Sequence, residues 1–514
     1  MADACRRGGS GAWLEGMTPL PRRGLALFLA LALAGPALAA PRGLVLILAD
    51  DHRYDALGFL GHPFLETPHL DRLAREGVHA ARAFVTTALC SPSRASVLTG
   101  LQMHRHGVVD NVSGVRGELP TFPQLLQAAG YRTGFFGKWH MGTSADPRPG
   151  FHRWVSFRGQ GEYAPAPARP GAPPHQLNID GVWTPRREYI TDELTNHALD
   201  WLATVPRDQP FLLYLSHKAV HGRCEPAPRH LGRYEGRPLP RPPSRENHHD
   251  APRWVRDQRN SWHGIDFPYH QADPAVWEAE HRRYLECLLS VDESVGRVLA
   301  ALAERGQLDE TLVVYTSDNG FGFGEHGLID KRVAYEWSMR VPLLVRCPAA
   351  VPGGGTLTRL AANIDLAPTL LEAAGLVPPP GLDGRSLWPL LRGLEVPWRE
   401  ELLYEYYWEH QFPQTPTLHA LRGERYKYIR PQGVWDIAEF YDLETDPHET
   451  RNLIHDPAHA ARIAAMDARL TAQLAAGGGL VLPLQRVHGR AQNLRHPSAA
   501  APAAFPPALV RPAR

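Results

Sequence analysis

Two things are scarce in this sequence: cysteine and any excess of charge of one sign. Only five of the 514 residues are cysteine, and 55 lysines and arginines balance 54 aspartates and glutamates. Because the charges balance, the chain has no overall field that would attract nucleic acid or an anionic membrane, and we expect no nucleic-acid partner. No cysteine and histidine spacing indicates a zinc site. With so few cysteines, the fold must rest on its hydrophobic core.

The first 40 residues predict a secretory signal peptide. A basic start precedes the apolar run 24–34, and the small-residue sequence 37–39 follows as a cleavage site. The run is shorter than the roughly 20 residues that span a bilayer, so we expect no stable membrane span after cleavage. We expect export to a periplasmic, extracellular or lumenal compartment. Met17 begins a more ordinary signal peptide than the first methionine, which leaves residues 1–16 open to interpretation as a start-site artefact.

Cleavage would leave four cysteines, at positions 90, 224, 287 and 347. If Cys90 has a chemical role, the other three can form at most one disulfide. Spacing alone leaves open whether Cys224 pairs with Cys287 or with Cys347.

Strand and helix patterns alternate along the mature chain. Thr67 is predicted to cap a helix that ends at Gly77, Thr121 begins a similar one, and a long helix runs through 290–304. The segments predicted as strands are 43–49, 131–136, 210–216 and 311–317. This alternation predicts an α/β fold with a mostly parallel sheet covered by helices on both faces.

Polar side chains follow each of the four predicted strands, where ligands gather in such sheets. In chain order, they are Asp50, Asp51, Lys138, His140, His217, His221, Asp318 and Asn319. Each one alone also fits a turn or an exposed position, but their shared placement at one sheet edge indicates a site. The carboxylates and the amide are hard oxygen donors, which suit Ca²⁺ or Mg²⁺.

Two motifs carry a family resemblance. Cys90-Ser-Pro-Ser-Arg94 opens a run that ends at Gly100, and Gly130-Tyr131 leads to Gly137-Lys-Trp-His140. They resemble the two signatures of the formylglycine-dependent type I sulfatases, and the similarity extends from Leu44 to about Leu453. The resemblance implies the fold of the alkaline-phosphatase superfamily, a large mixed, mostly parallel sheet sandwiched by helices, with a smaller C-terminal α+β unit. The run 326–342 looks most like glucosamine-6-sulfatases and arylsulfatases.

The resemblance implies a sulfuric ester hydrolase acting on a sulfated saccharide or another organic sulfate. In that family a formylglycine-generating enzyme oxidises the motif cysteine, so Cys90 would be the precursor of C-formylglycine. The implied cation is Ca²⁺, with Mg²⁺ as the alternative. Its implied ligands are Asp50, Asp51, the modified Cys90, Asp318 and Asn319.

The remaining catalytic roles are implied position by position. Arg94 resembles the arginine that orients the hydrated aldehyde, and Lys138 and Lys331 resemble the two sulfate-binding lysines. His140 resembles the histidine that assists sulfate release. His221 resembles the histidine paired with the leaving-group oxygen, with Lys331 as the proton donor.

The chain departs from the family pattern around that last histidine. Many relatives have Pro-His-x-Pro there, whereas this chain has Ser216-His-Lys-Ala-Val-His-Gly-Arg223. His217 or Lys218 could therefore face the site instead. We favour His221 because a turn between the strand end and the site leaves room for it.

Composition divides the rest of the chain. Residues 41–393 are predicted as the catalytic domain and 394–476 as a small antiparallel unit with strands at 401–408 and 424–430 and a helix from 456. The segment 225–279 has the length of a functional loop, and its aromatic and basic residues suit a sugar ring that bears anions. Glycine, alanine and proline dominate 477–514, which is predicted to be a disordered tail.

Two other functions stay open at this point. A phosphodiester or phosphonate monoester hydrolase of the same superfamily would share the sheet and the metal site. A non-catalytic protein that binds sulfated glycans would keep Cys90 as a thiol.

Overall fold

The computed structural model describes residues 41–166, 171–245, 250–258, 274–410, 412–433 and 436–483. The predicted signal peptide, residues 1–40, and the greater part of the predicted tail lie outside the described residues. Over the described ranges, no helix combines the length and the apolar character that crossing a membrane requires.

Strands and helices alternate through most of this region. The strands are β1 (Gly43–Ala49), β2 (Val78–Ala80), β3 (Ala83–Phe84), β4 (Arg132–Gly137), β5 (Arg153–Ser156), β6 (Gln176–Ile179), β7 (Val182–Pro185), β8 (Phe211–Ser216), β9 (Thr311–Ser317), β10 (Gly322–Phe323), β11 (Ile329–Asp330), β12 (Leu343–Arg346), β13 (Gly355–Leu357), β14 (Ala361–Ala362), β15 (Glu401–Tyr406), β16 (Thr417–Gly423), β17 (Tyr426–Gln432) and β18 (Glu439–Asp442). The helices are α1 (Pro68–Glu76), α2 (Cys90–Thr99), α3 (Met103–His106), α4 (Phe122–Ala128), α5 (Ile190–Thr204), α6 (Arg253–Asp257), α7 (Pro274–Glu304), α8 (Glu336–Met339), α9 (Leu366–Ala373), α10 (Trp388–Leu391) and α11 (Ala460–Gly477).

A ten-stranded mixed sheet forms the centre, in the order β13-β2-β12-β9-β1-β8-β4-β5-β6-β7. The five neighbours from β9 to β5 are parallel to one another. Antiparallel pairs join β12 to β9 and β6 to β5. The prediction of a large mixed, mostly parallel sheet is therefore confirmed.

Both faces of the central strands are covered, which is why β1 reads as an unbroken apolar run. Val45 and Ile47 pack into a core that contains residues of α1, α5 and α7. Leu44, Leu46 and Leu48 face the opposite core, which is built with residues of α2, α4, α9 and α10. The helices thus sandwich the sheet, as predicted.

The register of the parallel strands brings their carboxyl ends to one line. Ala49 lies opposite Ser317, and Leu48 and Gly137 both lie opposite Ser216. Gly137 has φ +122°, and a Cβ there would overlap the carbonyl oxygen of Ser216, so only glycine allows this approach. The residues that follow the four strands therefore emerge side by side.

The helix predicted after Thr67 is present, and Thr67 is its N-cap residue, as predicted. The Thr67 hydroxyl donates to Asp71 instead of accepting from the helix. The first amides of α1, at His69 and Leu70, donate to the buried Asp292 carboxylate of α7. A residue distant in sequence thus accepts the capping hydrogen bonds of the first turn. The local sequence pattern could not predict this partner.

A second, four-stranded antiparallel sheet with the order β15-β16-β17-β18 follows near the C-terminus. One face of it packs against α11 through Leu403, Phe440 and Leu470, among others. The predicted small α+β unit is confirmed, although the sequence analysis found only β15 and β17 of its strands. The predicted boundary between residues 393 and 394 stays a prediction.

Candidate active site

Cys90 is the first residue of α2 and is fully buried. Its thiol donates to Asp50 Oδ1 at 3.6 Å, and Lys331 Nζ donates to its sulfur at 3.3 Å. Burial raises the pKa of Cys90 to about 12, against the opposing effect of the nearby lysines. The unmodified side chain is therefore a neutral thiol, a poor nucleophile at neutral pH.

Arg94 lies one helical turn after Cys90 and is buried, so it is not a surface charge of the helix. Its Nε donates to Asp318 Oδ2 at 2.8 Å. Its Nη1 donates to both the Lys138 carbonyl and the Ser216 hydroxyl, each at 2.7 Å. Arg94 thus ties the start of α2 to the ends of three strands.

Three carboxylates meet beside Cys90. Ligand oxygens of Asp50, Asp51 and Asp318 all lie within 4.8 Å of one another. Burial raises the pKa of Asp51 to about 7, and the charges of Asp50 and Asp318 add to this effect. Burial would also raise the pKa of Asp50, but nearby positive groups, led by Lys138, hold it well below its usual range. The positive charges of the lysines and Arg94 thus stabilise the ionised form of Asp50 more than that of Asp51.

Two buried oxygens in this cluster lack a hydrogen-bond donor among the described residues. They are Asp51 Oδ2 and Asn319 Oδ1. The Asn319 amide nitrogen is held, because it donates to Asp51 Oδ1 at 2.6 Å and to the Gly320 carbonyl at 2.8 Å. Buried acceptors normally find a partner, and a hard divalent cation satisfies such oxygens. The donor set therefore fits Ca²⁺ or Mg²⁺.

Lys138 and His140 emerge after β4. Lys138 Nζ donates to Asp50 Oδ2 and, at 2.5 Å, to the side-chain oxygen of Gln160. His140 has φ +58°, and its Nδ1 lies 3.3 Å from the Ser91 hydroxyl. Burial holds the pKa of His140 well below its usual range, with Lys138 adding to the shift. Both predicted residues therefore lie against the Cys90 segment.

Lys331 and His221 both lie beside Asp51, and a ring nitrogen of His221 also lies within 4.8 Å of ligand atoms of Asp50 and Cys90. Lys331 Nζ donates to Asp51 Oδ1 at 2.5 Å, and His221 Nε2 is 3.9 Å from Asp51 Oδ2. Burial lowers the pKa of Lys331, but the surrounding acidic groups, led by Asp51, together outweigh burial and hold it well above its ordinary value. His221 Nδ1 lies 2.6 Å from the Gly222 carbonyl. Since a carbonyl can only accept, Nδ1 carries the proton, and Nε2 of neutral His221 is an acceptor.

The two alternatives to His221 face elsewhere. His217 is fully buried, and its Nε2 contacts the hydroxyl of Ser294 on α7 at 3.1 Å. Lys218 Nζ lies 4.4 Å from the centre of the Tyr163 ring. Neither residue lines the cavity of about 540 Å³ beside the carboxylate cluster, whereas His221 does.

A cavity of about 540 Å³ opens above these residues. Asp51, His140, His221 and Lys331 are part of its lining. The other lining residues include polar and aromatic side chains, among them Asn111, Gln160, Glu280, Tyr284, Phe321, Phe323, Asp330, Arg332 and Phe412. Polar groups and rings on one concave wall suit a polar ligand with an apolar face.

Sequence reasoning missed several of these residues. Gln160 lies in a loop after β5, and no motif marked it. Arg332 is next to the predicted Lys331, and its guanidinium lies 3.7 Å from the centre of the Phe412 ring while its Nε donates to Glu409 at 2.7 Å. Adjacency to Lys331 was the one available signal, because the partners come from distant parts of the chain.

The segment 225–279 differs from the prediction. Helix α7 already begins at Pro274, and α6 lies within the segment. Trp254 is buried in a core cluster, so its ring is not presented to a ligand. None of the described residues of this segment lines the cavity, and residues 259–273, which include Trp262, lie outside the described residues.

Comparison with known proteins places this arrangement in a family. Residues 42–376 match the family model described as Sulfatase, and residues 324–476 match the model described as N-sulphoglucosamine sulphohydrolase, C-terminal. The chain is 32% identical to an N-acetylglucosamine-6-O-sulfatase of Bacteroides thetaiotaomicron, over 82% of this chain and 84% of that protein. It is 30% identical to the multifunctional alkaline phosphatase superfamily protein PehA of Trinickia caryophylli, over 82% of this chain and 93% of that protein.

A solved structure of a protein in complex with its substrate, D-glucosamine-2-N,6-O-disulfate, superposes on the chain with a TM-score of 0.78. The two chains are 30% identical, and the superposition covers 86% of this chain and 99% of the other. The family model spans more than half of the sequence, and the relatives match along most of their length. The chain therefore belongs to the sulfatase family of the alkaline-phosphatase superfamily.

Proposed function

We propose that this sulfatase hydrolyses a sulfate ester on a sulfated glycan, using C-formylglycine made from Cys90 and a divalent cation. The observation that carries the proposal is the meeting of Cys90, three carboxylates and three cationic side chains at one edge of the sheet. Cys90 begins the motif that a formylglycine-generating enzyme reads in this family. That enzyme is the proposed maturation partner.

The charges around Cys90 favour an anionic substrate once a cation is bound. Asp50, Asp51 and Asp318 face Arg94, Lys138 and Lys331, so the fixed charges roughly cancel. A divalent cation held by Asp50, Asp51, Asp318 and Asn319, beside modified Cys90, would make the site net positive. A sulfate ester would then be attracted into a buried, cationic environment.

The two absent groups would supply specific chemistry. C-formylglycine would supply, as its hydrate, a nucleophile with two hydroxyls. The cation, Ca²⁺ in the first instance, would supply Lewis-acid polarisation of sulfate oxygens.

The side chains of the protein divide into two sets around these groups. On the Asp50 side, we assign Lys138 to the non-bridging sulfate oxygens, and His140 contacts Ser91, the residue after Cys90. Arg94 is fixed by Asp318 and orients the residue at position 90. These residues bind charge that is present in the ground state and in the transition state alike.

On the Asp51 side, we assign Lys331 and neutral His221 to the leaving oxygen, where negative charge develops. Lys331 is protonated, because the acidic groups around it, led by Asp51, hold its pKa well above the ordinary value despite burial. It can give a proton to the leaving alkoxide. The Nε2 acceptor of His221 lies beside the same carboxylate and can orient that proton or the product hydroxyl.

The sulfated-glycan class is supported by relatives and by the cavity. Named relatives are an N-acetylglucosamine-6-O-sulfatase and a protein solved with a glucosamine disulfate. The mixed polar and aromatic lining suits a hydroxylated ring. Small aryl or alkyl sulfates are the second substrate class. The predicted signal peptide supports export, where such glycans are met.

A phosphodiester or phosphonate monoester hydrolase is the competing function, favoured by the similarity to the multifunctional superfamily protein PehA. We expect purified enzyme to turn over an aryl sulfate with a higher kcat/KM than the matching aryl phosphate diester. A screen of positionally defined sulfated sugars then identifies the natural class. A preference for the diester, with no activity on any sulfated sugar, would replace the sulfatase proposal by the competing one.

Conversion of Cys90 is tested directly by mass and by substitution. The peptide that contains Cys90 should be about 18 Da lighter than its thiol form. Cys90→Ser should fold but lose multiple turnover, because serine offers one hydroxyl where the hydrated aldehyde offers two. Cys347→Ser, at another buried cysteine outside the cavity lining, is the matched control. Steady cycling of Cys90→Ser at the wild-type rate would contradict the role of Cys90.

Removal of the metal should lower stability as well as activity. Without a cation, Asp50, Asp51 and Asp318 repel one another in a buried site. Exhaustive chelation should therefore lower the melting temperature by several degrees, and added Ca²⁺ should restore it. The Asp51→Ala variant should shift much less on chelation, since it lacks a ligand. An unchanged melting temperature and activity in the wild-type protein would rule out the metal site.

The two sets of side chains should respond differently to the leaving group. His221→Ala and Lys331→Ala should slow hydrolysis of a sugar sulfate by about 100-fold or more, but slow a nitrophenyl sulfate far less, because its phenolate leaves without a proton. Lys138→Ala should slow both substrates alike. His217→Ala is the control and should show no dependence on the leaving group. If the dependence appears in His217→Ala instead of His221→Ala, the role moves to His217.

A further inference from the structure

Two buried cysteines that the proposed mechanism does not use lie against each other. Cys224 follows the turn that carries His221, and Cys287 lies on α7. Both belong to the same core cluster, and the adjacent Cys287 thiol is the largest cause that raises the pKa of Cys224. The Tyr189 hydroxyl reaches both segments, with Glu225 O at 3.0 Å and Cys287 Sγ at 3.9 Å. The contact therefore joins the segment after β8 to the long helix.

The other cysteine outside the motif, Cys347, does not lie near this pair. Cys347 follows β12 and packs in the core on the opposite face of the sheet. Its thiol is directed to the Asp309 carbonyl at 3.9 Å. The choice that spacing left open, between Cys287 and Cys347 as the neighbour of Cys224, is therefore decided by the fold in favour of Cys287.

The pair can be reached from the active-site cavity. Cys224 is 7% exposed and is part of the cavity lining, whereas Cys287 is fully buried. An oxidant that enters the cavity therefore meets Cys224 first. Lys218 lies close enough to favour the thiolate form of Cys224, although the adjacent Cys287 thiol and burial hold the pKa of Cys224 well above its usual value.

We propose that Cys224 and Cys287 form a disulfide when the protein meets an oxidising thiol–disulfide environment. The Cys224 thiolate attacks one sulfur of a small-molecule disulfide such as oxidised glutathione, and one glutathione thiol leaves. The Cys287 sulfur then displaces the second glutathione from Cys224, and the new sulfur–sulfur bond forms. The protein pair loses two electrons and two protons, and the glutathione disulfide gains both.

The bond would anchor the backbone next to the proposed metal site. The Cys224 thiol donates to the Val220 carbonyl at 3.2 Å. The Val220 amide donates to the Asp50 carbonyl at 2.7 Å, and the Asp50 amide donates to the Ala219 carbonyl at 3.0 Å. A covalent link to α7 therefore fixes the segment that holds both Asp50 and His221. It also closes a long loop in the unfolded chain, which favours the folded state.

Peptide mapping of the purified full-length protein tests the proposal without any activity assay. The protein is incubated at pH 8.5 with oxidised glutathione or with tris(2-carboxyethyl)phosphine, then denatured in iodoacetamide and digested. After oxidation we expect a peptide that joins Cys224 to Cys287, while Cys347 is recovered as the alkylated thiol. Alkylated Cys224 and Cys287, glutathione left on Cys224, or a link from Cys224 to Cys347 would each overturn the proposal.

Thermal unfolding provides the second measurement. We expect the oxidised protein to melt several degrees above the reduced protein. This difference should vanish in Cys287→Ser and persist in the matched control Cys347→Ser. An equal difference in Cys287→Ser would overturn the proposal, and the mapping of the wild-type protein decides the matter if that variant fails to fold. Because neither readout uses a sulfate ester, a negative result here leaves the proposed sulfatase activity to its own tests.

Discussion

The pairing of buried carboxylates with buried cations at the strand ends is the interaction on which the rest of the site depends. Burying an unpaired charge is costly, and here Arg94 and Lys138 compensate Asp318 and Asp50. The compensation is incomplete at Asp51, whose pKa is raised to about 7 by burial first and then by its acidic neighbours. The charges of the cluster are thus balanced well enough for it to form in the protein. A further positive charge beside Asp51 would still be electrostatically favourable.

The C-terminal unit takes part in this arrangement through the loop that carries Lys331. Trp337 Nε1 donates to His326 Nδ1 at 3.2 Å, so the other ring nitrogen, Nε2, carries the proton and donates to the Glu449 carbonyl at 2.8 Å. Glu449 in turn accepts from Lys427 of β17 at 2.7 Å. The position of Lys331 therefore depends on the small sheet as well as on the large one.

Parts of the site could be predicted because they are local in sequence. The run that begins at Cys90, the Asp-Asp pair after β1 and the Asp-Asn pair after β9 are visible as motifs, and each follows a strand or opens a helix. Gln160 and Arg332 could not be predicted in the same way, since their partners, Lys138 and Phe412, come from other parts of the chain. The cap of α1 has the same origin, because Asp292 lies on a helix more than 200 residues away in sequence.

By itself, the sequence determined the alternation of strands and helices, the sheet class and the residues that follow each strand, because apolar period and turn residues are local properties. The tertiary structure decided which of those residues meet. Strand order made β9, β1, β8 and β4 neighbours, and their register aligned their ends. The tertiary structure also directs His217 toward Ser294 and His221 toward Asp51. Sequence spacing could not distinguish the two histidines, because their directions depend on how the turn after β8 packs against α7 and β1.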